Sequence, residues 1–205
     1  MGRIIEKTRK SPKEKTKPVY LVVCEGKNKT EKLYLNNYNK RCSDYILKLE
    51  SSEDTDPESM LEICMYYIDK YDISTLDGDK VFCLMDLDNS KKKITLVKQL
   101  LSQYPDVQII TSNPCFEIWF LLHFTNKISS RTQNSVINEL KKHIKNYEKS
   151  KDVYKCTKEI RENTMIALDR AYEKNKQYES SNINILDSNA NPNTEVYKLI
   201  DLLIK

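Results

Sequence analysis

Glycine is almost missing from this chain, with three residues in 205, and that scarcity removes whole classes of activity. A Walker A loop or a G-x-G-x-x-G turn needs several glycines in one short stretch so that backbone N–H groups can close on a phosphate. Nucleotide binding through a glycine-rich cradle is therefore excluded. No apolar run approaches the ~18 residues a membrane-spanning helix requires, so no membrane span is expected. The opening stretch MGRIIEKTRKSPKEKTKP lacks the apolar core of a secretory signal, which makes the cytoplasm the expected location. The six cysteines, at 24, 42, 64, 83, 115 and 156, form no C-x-x-C pair. Cys24, Cys64, Cys83 and Cys115 sit inside apolar runs, and buried free thiols are expected rather than zinc ligands or disulfides.

A strong charge of either sign is missing too, once the N-terminus is set aside. Of a net +4, residues 1–17 hold seven Lys/Arg against two Glu, leaving 27 basic and 28 acidic residues in the rest. Basicity belongs to the tail, read either as a disordered, solubilising leader or as an arm that touches phosphates.

What is present is an alternation of short apolar runs with helical patterns. Val19–Cys24, the run KVFCLMDLDN at 80–89 and VQIIT at 107–111 are read as apolar strands covered on both faces. Residues 44–49 form a weaker strand candidate. Between them, helical spacing recurs: residues 30–40 with Thr30 as N-cap; Met60, Cys64, Tyr67, Ile68 and Tyr71, read as packing into the core; and Ile94, Val97, Leu101 and Tyr104. Strands separated by helices predict an α/β fold over residues 18–126, with a mainly parallel sheet flanked by helices. From 127 to 205 no strand is expected, only a helical C-terminal region: helices near 130–149 and 153–178, then one over 192–204 with Asn191 as cap and Pro192 in its first turn.

Acids stand where ligands bind in such sheets, beyond the carboxyl ends of strands. Glu25 follows the first strand, and Asp86 and Asp88 close the later one. Strand alternation places Asp86 and Asp88 on one side with Leu87 opposite. Two like charges in one cleft are tolerable if a divalent cation neutralises them, and hard oxygen ligands favour Mg²⁺ or Mn²⁺ and metal-assisted phosphoryl transfer. D-x-D alone is a weak signal, since strand-end acids also cap helices or stay solvated. The order of the acids is more telling. A haloacid-dehalogenase-type phosphatase carries D-x-D after its first strand and a receiver domain begins with paired acids; a single Glu first and D-x-D later fits the Toprim (Rossmann-like) pattern.

VVCEGKNKTEKLYL, FCLMDLDN, SNPCFEIWFLLHF and NPNTEVYKLIDLL together resemble the RloB-like family of bacterial defence proteins, over most of residues 19–205. The resemblance implies a Toprim-like nuclease fold of the AbiL type, a phage-defence setting and an AAA-type ATPase partner encoded nearby. It also implies roles: Glu25 in acid/base catalysis or metal binding, Asp86 and Asp88 as metal ligands. Many relatives read E-G-x-x-T-E, whereas EGKNKTE here has one residue more, which puts the roles of Thr30 and Glu31 in doubt more than that of Glu25.

The remaining candidates have plainer readings beside the functional ones. Glu117 is the only ionisable residue from Asn113 to Leu122, so it needs a partner, solvent or metal. Asn113 reads as an N-cap or as a phosphate-orienting amide, and Pro114 as a first-turn residue of the next helix. Lys27, Lys29 and Lys32, with Lys91, Lys92 and Lys93, either steer an anionic substrate or form a solvated cluster. His123 is read as a packed residue rather than a catalyst. The functional expectation is a Mg²⁺-dependent nuclease acting on DNA or RNA, tRNA among the candidates. The alternative is a non-catalytic subunit that binds nucleic acid or the ATPase.

Overall fold

The structure is a computed structural model that describes residues 17–26, 30–41, 43–129 and 131–205. The basic tail expected over residues 1–17, apart from Lys17, lies outside the described residues, as do Lys27, Lys29 and Cys42.

The apolar runs become parallel strands: β1 (Val19–Cys24), β2 (Ile46–Ser51), β3 (Lys80–Asp86) and β4 (Val107–Asn113). They lie in the order β2-β1-β3-β4, and β5 (Asn193–Thr194) completes the sheet beside β4. Alternation along the strands divides the apolar residues between two cores. Leu21, Val23, Val81, Cys83 and Met85 pack on one face against α2 (Pro57–Tyr71) and α3 (Lys91–Leu100). Val22, Cys24, Phe82, Leu84 and Ile110 pack on the other face, against α1 (Thr30–Leu35), α4 (Glu117–Leu121) and the C-terminal helices. Burying both faces is what continuous rather than alternating apolarity requires. This is an α/β Rossmann-like fold with a mostly parallel sheet flanked by helices. Cys24, Cys64, Cys83 and Cys115 are buried free thiols, as their apolar settings imply, and Cys156 is exposed. Among the described residues no helix is long and apolar enough to cross a membrane.

The C-terminal region departs from expectation. It contributes a strand: β5 runs antiparallel to β4 through Ser112↔Thr194 and Asn113↔Asn193. Two polar residues carry no apolar signal, so nothing in the pattern announces them. The last helix is α9 (Val196–Ile204), with Pro192 ahead of β5 instead of in the helix. The span 130–149 holds α5 (Gln133–His143), opened by a Thr132–Ser135 capping box. The span 153–178 is broken into α6 (Val153–Cys156), α7 (Lys158–Glu162) and α8 (Thr164–Ser180). The 30–40 helix ends as an α-helix at Leu35 and tightens into a 3₁₀ turn over Asn36–Tyr38. Tyr67 and Tyr71 are partly exposed, stacked with ring centroids 5.6 Å apart and joined by the Lys70 ammonium. The apolar side of α2 is made by Met60, Leu61 and Cys64, and the tyrosines flank it.

Candidate functional site

Parallel pairing aligns the carboxyl ends of β1 and β3, with Cys24 opposite Leu84. Glu25, one residue beyond β1, therefore reaches the end of β3, where the Asp86 N–H donates to Glu25 Oε2 at 2.8 Å. β3 stops at Asp86. Asp88 is thus not the next residue on the same side of a strand, and the i, i+2 expectation fails: Asp88 and Asn89 both adopt left-handed backbone, with φ of 53° and 54°. Short polar Asp and Asn tolerate that region better than most L-residues.

The end of β4 fixes this turn. Leu87 N–H donates to Ser112 O at 2.8 Å, Asp88 N–H to Pro114 O at 2.9 Å, and Asn89 N–H to Asn113 Oδ1 at 3.0 Å. Asn113 is therefore a brace within the rim and no helix cap; its amide also donates to Ala190 O at 3.3 Å. Pro114 follows a cis peptide bond and precedes α4, which starts only at Glu117.

Lys93 ties the acids together. Its ammonium donates to both Glu25 oxygens, at 3.0 and 3.1 Å, and to Asp88 Oδ2 at 3.4 Å. Three lysines in the first turn of α3, with no acid among them, oppose the helix dipole, which favours anions there. The carboxylates just outside the helix offset that cost. Ser90 caps α3 by accepting from Lys93 N–H at 3.3 Å.

A second layer of charge lies behind the first. Glu25, Glu31, Asp86, Ser112, Phe116 and Val196 line one narrow cleft. Burial pushes the Asp86 carboxyl well above its ordinary range, and the charges of Glu31, Glu117, Glu25 and Asp88 push it further. Glu31 is raised to about 7, chiefly by burial and then by Glu117 and Glu25. Burial also raises Glu25, opposed by Lys93 and by the Asp86 N–H. Glu117 is buried, accepts from Tyr147 OH at 3.0 Å, and has the Lys149 ammonium at 3.8 Å. Burial tends to lower Lys149, but Glu117 and Asp86 outweigh it and the amine is raised. Burial and Glu117 hold the Tyr147 phenol protonated far above its usual range.

Of the residues named from sequence, Glu25, Asp86 and Asp88 come together, and Glu117 stands behind them. Thr30 is buried, and its hydroxyl accepts from Ser150 N–H at 3.0 Å, which makes it an anchor for the 144–152 loop. Asn113 braces the turn. His123 lies in the turn after α4, buried, with Nδ1 at 2.9 Å from Trp119 O; burial lowers its pKa to about 4, so it is neutral at pH 7. Tyr147 and Lys149 gave no sequence signal, lying in a polar stretch 30 and 32 residues beyond Glu117. Glu31 was visible only as the acid of the lengthened EGKNKTE loop. A wider groove of about 480 Å³ runs along β4 between α3 and residues 184–186, and none of Glu25, Asp86, Asp88 or Glu117 lines it.

The donors at the rim are carboxylate oxygens, which suit Mg²⁺ or Mn²⁺ and not zinc. Among the described residues no three His, Cys, Asp or Glu side chains form a ready metal cage. Glu25 and Asp88 are instead both paired with the Lys93 ammonium. Acids crowd around Asp86, and the Lys93 and Lys149 ammonium groups offset part of their charge.

A family profile described as "RloB-like protein" matches residues 20–203. The chain belongs to the RloB-like family. The match spans the whole sheet, the carboxylate rim and the C-terminal helices, so in this RloB-like protein β5 and the Tyr147–Lys149 loop fall inside the family unit. No curated protein and no solved structure matches the chain.

Proposed function

We propose that this RloB-like protein is a Toprim-like, divalent-metal-dependent phosphodiesterase that cuts DNA or RNA. The observation carrying this reading is the meeting of Glu25, Asp86 and Asp88 at the carboxyl ends of adjacent parallel strands, linked through Lys93 and the Asp86 N–H. Glu25, Asp86 and Asp88 would hold Mg²⁺ or Mn²⁺, with Lys93 swinging away from the two it now bridges. A bound divalent cation supplies Lewis-acid polarisation of a phosphoryl oxygen and neutralises developing charge. Glu31, raised to about 7, suits proton transfer at neutral pH better than Glu25, which is held by Lys93. Glu117, engaged by Tyr147 and Lys149, positions the inner layer. The defence setting, the cytoplasmic location and the AAA-type ATPase partner rest on family resemblance and are proposed with it.

Cleavage of DNA and RNA panels with Mg²⁺ or Mn²⁺ tests the reading: wild type cuts and Asp86→Ala does not. Equal cutting by both removes the rim from the chemistry. A second reading, a non-catalytic regulatory subunit that binds nucleic acid or the ATPase, is favoured by the Lys93 ammonium already neutralising Glu25 and Asp88. Stable complex formation without turnover in any metal would select it.

A further inference from the structure

The rim carboxylates repel a polyanion, so a phosphodiester can approach only where cations lie beside them. Residues 141–161 hold eight Lys/Arg against three Asp/Glu, whereas the rest of the chain beyond residues 1–17 holds 19 against 25. This segment runs from the end of α5 through the 144–152 loop into α6 and α7.

Three contacts tie the loop to the layer behind the rim and to the start of α1: Tyr147 OH to Glu117, Lys149 ammonium to Glu117, and Ser150 N–H to Thr30 Oγ1. Asn146 and Ser150 turn through left-handed backbone, and Lys151 closes the loop on the carbonyls of Lys145 and Asn146. Ile144, Tyr147 and Val153 are buried beneath it, while Lys141, Lys142 and Lys145 are exposed. Lys91 and Lys92, also exposed, border the rim from the first turn of α3. The outer surface of α2 offers no alternative route, because Glu58, Glu62, Asp69 and Asp72 there outnumber Lys70.

We propose that residues 141–161 grip the sugar–phosphate backbone of a polynucleotide crossing the carboxylate rim. Resting on the phosphodiesterase reading above, this assigns the substrate class: a strand long enough to span rim and loop, and neither a mononucleotide nor a small phosphoester.

The test is fluorescence anisotropy with labelled RNA and DNA oligomers, in EDTA, over a range of salt, on full chains carrying Asp86→Asn so that nothing is cut. The triple variant Lys141→Gln/Lys142→Gln/Lys145→Gln is compared with Lys70→Gln/Lys98→Gln, which changes the other face of the sheet. Each lost phosphate contact lowers the slope of log affinity against log salt by about 0.7–0.9. The expected result is a slope smaller by roughly 2 for the triple variant with at least about tenfold weaker binding, an unchanged control, and weak competition by a mononucleotide. Equal affinity and slope for the two variants overturns the grip. If the triple variant binds as well as its Asp86→Asn parent and, with Asp86 restored and Mg²⁺ or Mn²⁺ added, cuts as well as wild type, the grip fails and the phosphodiesterase reading stands. If oligomers bind through these lysines but no metal supports cutting by wild type, the grip stands and the catalytic reading fails. Absence of both binding and cutting removes both.

Discussion

An acid stands at each end of strand β3, and the two live in opposite circumstances. Asp79, just before the strand, is 3% exposed, and its carboxylate accepts from Val19 N–H at 2.7 Å and from Ser74 N–H at 2.9 Å. Asp86, at the far end, is crowded by Glu25, Glu31, Asp88 and Glu117. One acid is satisfied by the fold and pins the start of β1 to the turn before β3. The other is made worse by the fold. Such crowding is a stability cost of the kind that perturbs pKa values at functional sites, and it falls at the carboxyl ends of the strands, where open α/β sheets bind ligands.

Substitution at each end separates the two roles. Asp86→Ala is expected to lower cleavage by about 10²–10³-fold, the order for removing one group that stabilises transition-state charge, with little loss of fold. Asp79→Ala orphans two backbone N–H groups at about 1–3 kcal/mol each. It should lower stability by roughly 2–6 kcal/mol in denaturant titration while leaving divalent-ion binding intact. A large loss of metal binding on Asp79→Ala would break the comparison.

Asp86→Asn sharpens it further, because the amide keeps the shape and removes the charge. The metal-free protein should gain stability, because burial and the neighbouring acids disfavour the Asp86 charge, seen as a higher melting temperature. The pH dependence has a definite sign. Asp86 and Glu31 bind protons more tightly folded than unfolded, so their protonation supports the fold at low pH. The contribution of these two acids should fall as pH rises from the ordinary carboxylate range through about 7, where Glu31 titrates, while buried His123, lowered to about 4, contributes in the opposite direction. Thermal melts in EDTA at pH 5 and pH 8 on wild type and Asp86→Asn cancel the His123 contribution: wild type should lose more stability from pH 5 to pH 8 than the variant, and an equal or smaller loss would contradict it.

How much of this is legible in the sequence follows from the same physics. Strands β1, β3 and β4 are readable because burial on both faces demands unbroken apolarity, and with them come Glu25 and Asp86 at their ends. Asp88 reaches the rim by a route other than strand alternation, which ends at Asp86: hydrogen bonds to the Ser112–Pro114 segment hold the turn that brings it there. β5 was invisible because an Asn-Thr pair has no periodic signature. Its place is held by side chains, with Ser112 and Thr194 hydroxyls 2.7 Å apart and the Glu195 carboxylate accepting from Thr111 Oγ1 at 2.8 Å. Tyr147 and Lys149 were invisible because only tertiary contact, not spacing, brings that loop to Glu117.

The smallest effect concerns Lys93. Its ammonium competes with a divalent ion for Glu25 and Asp88, so Lys93→Met should raise Mn²⁺ affinity by about 3–10-fold, of the order of 1 kcal/mol for a partly screened ion pair. Weaker Mn²⁺ binding in that variant would show that Lys93 supports the bound ion instead of displacing it.

Calorimetric titration of Mn²⁺ into the wild-type chain and into Asp86→Asn at neutral pH bears most directly on the rim as a cation site. Saturable binding by wild type at millimolar or lower concentration, reduced at least tenfold in Asp86→Asn, is the predicted result. No binding by wild type, or equal binding by both proteins, would contradict it.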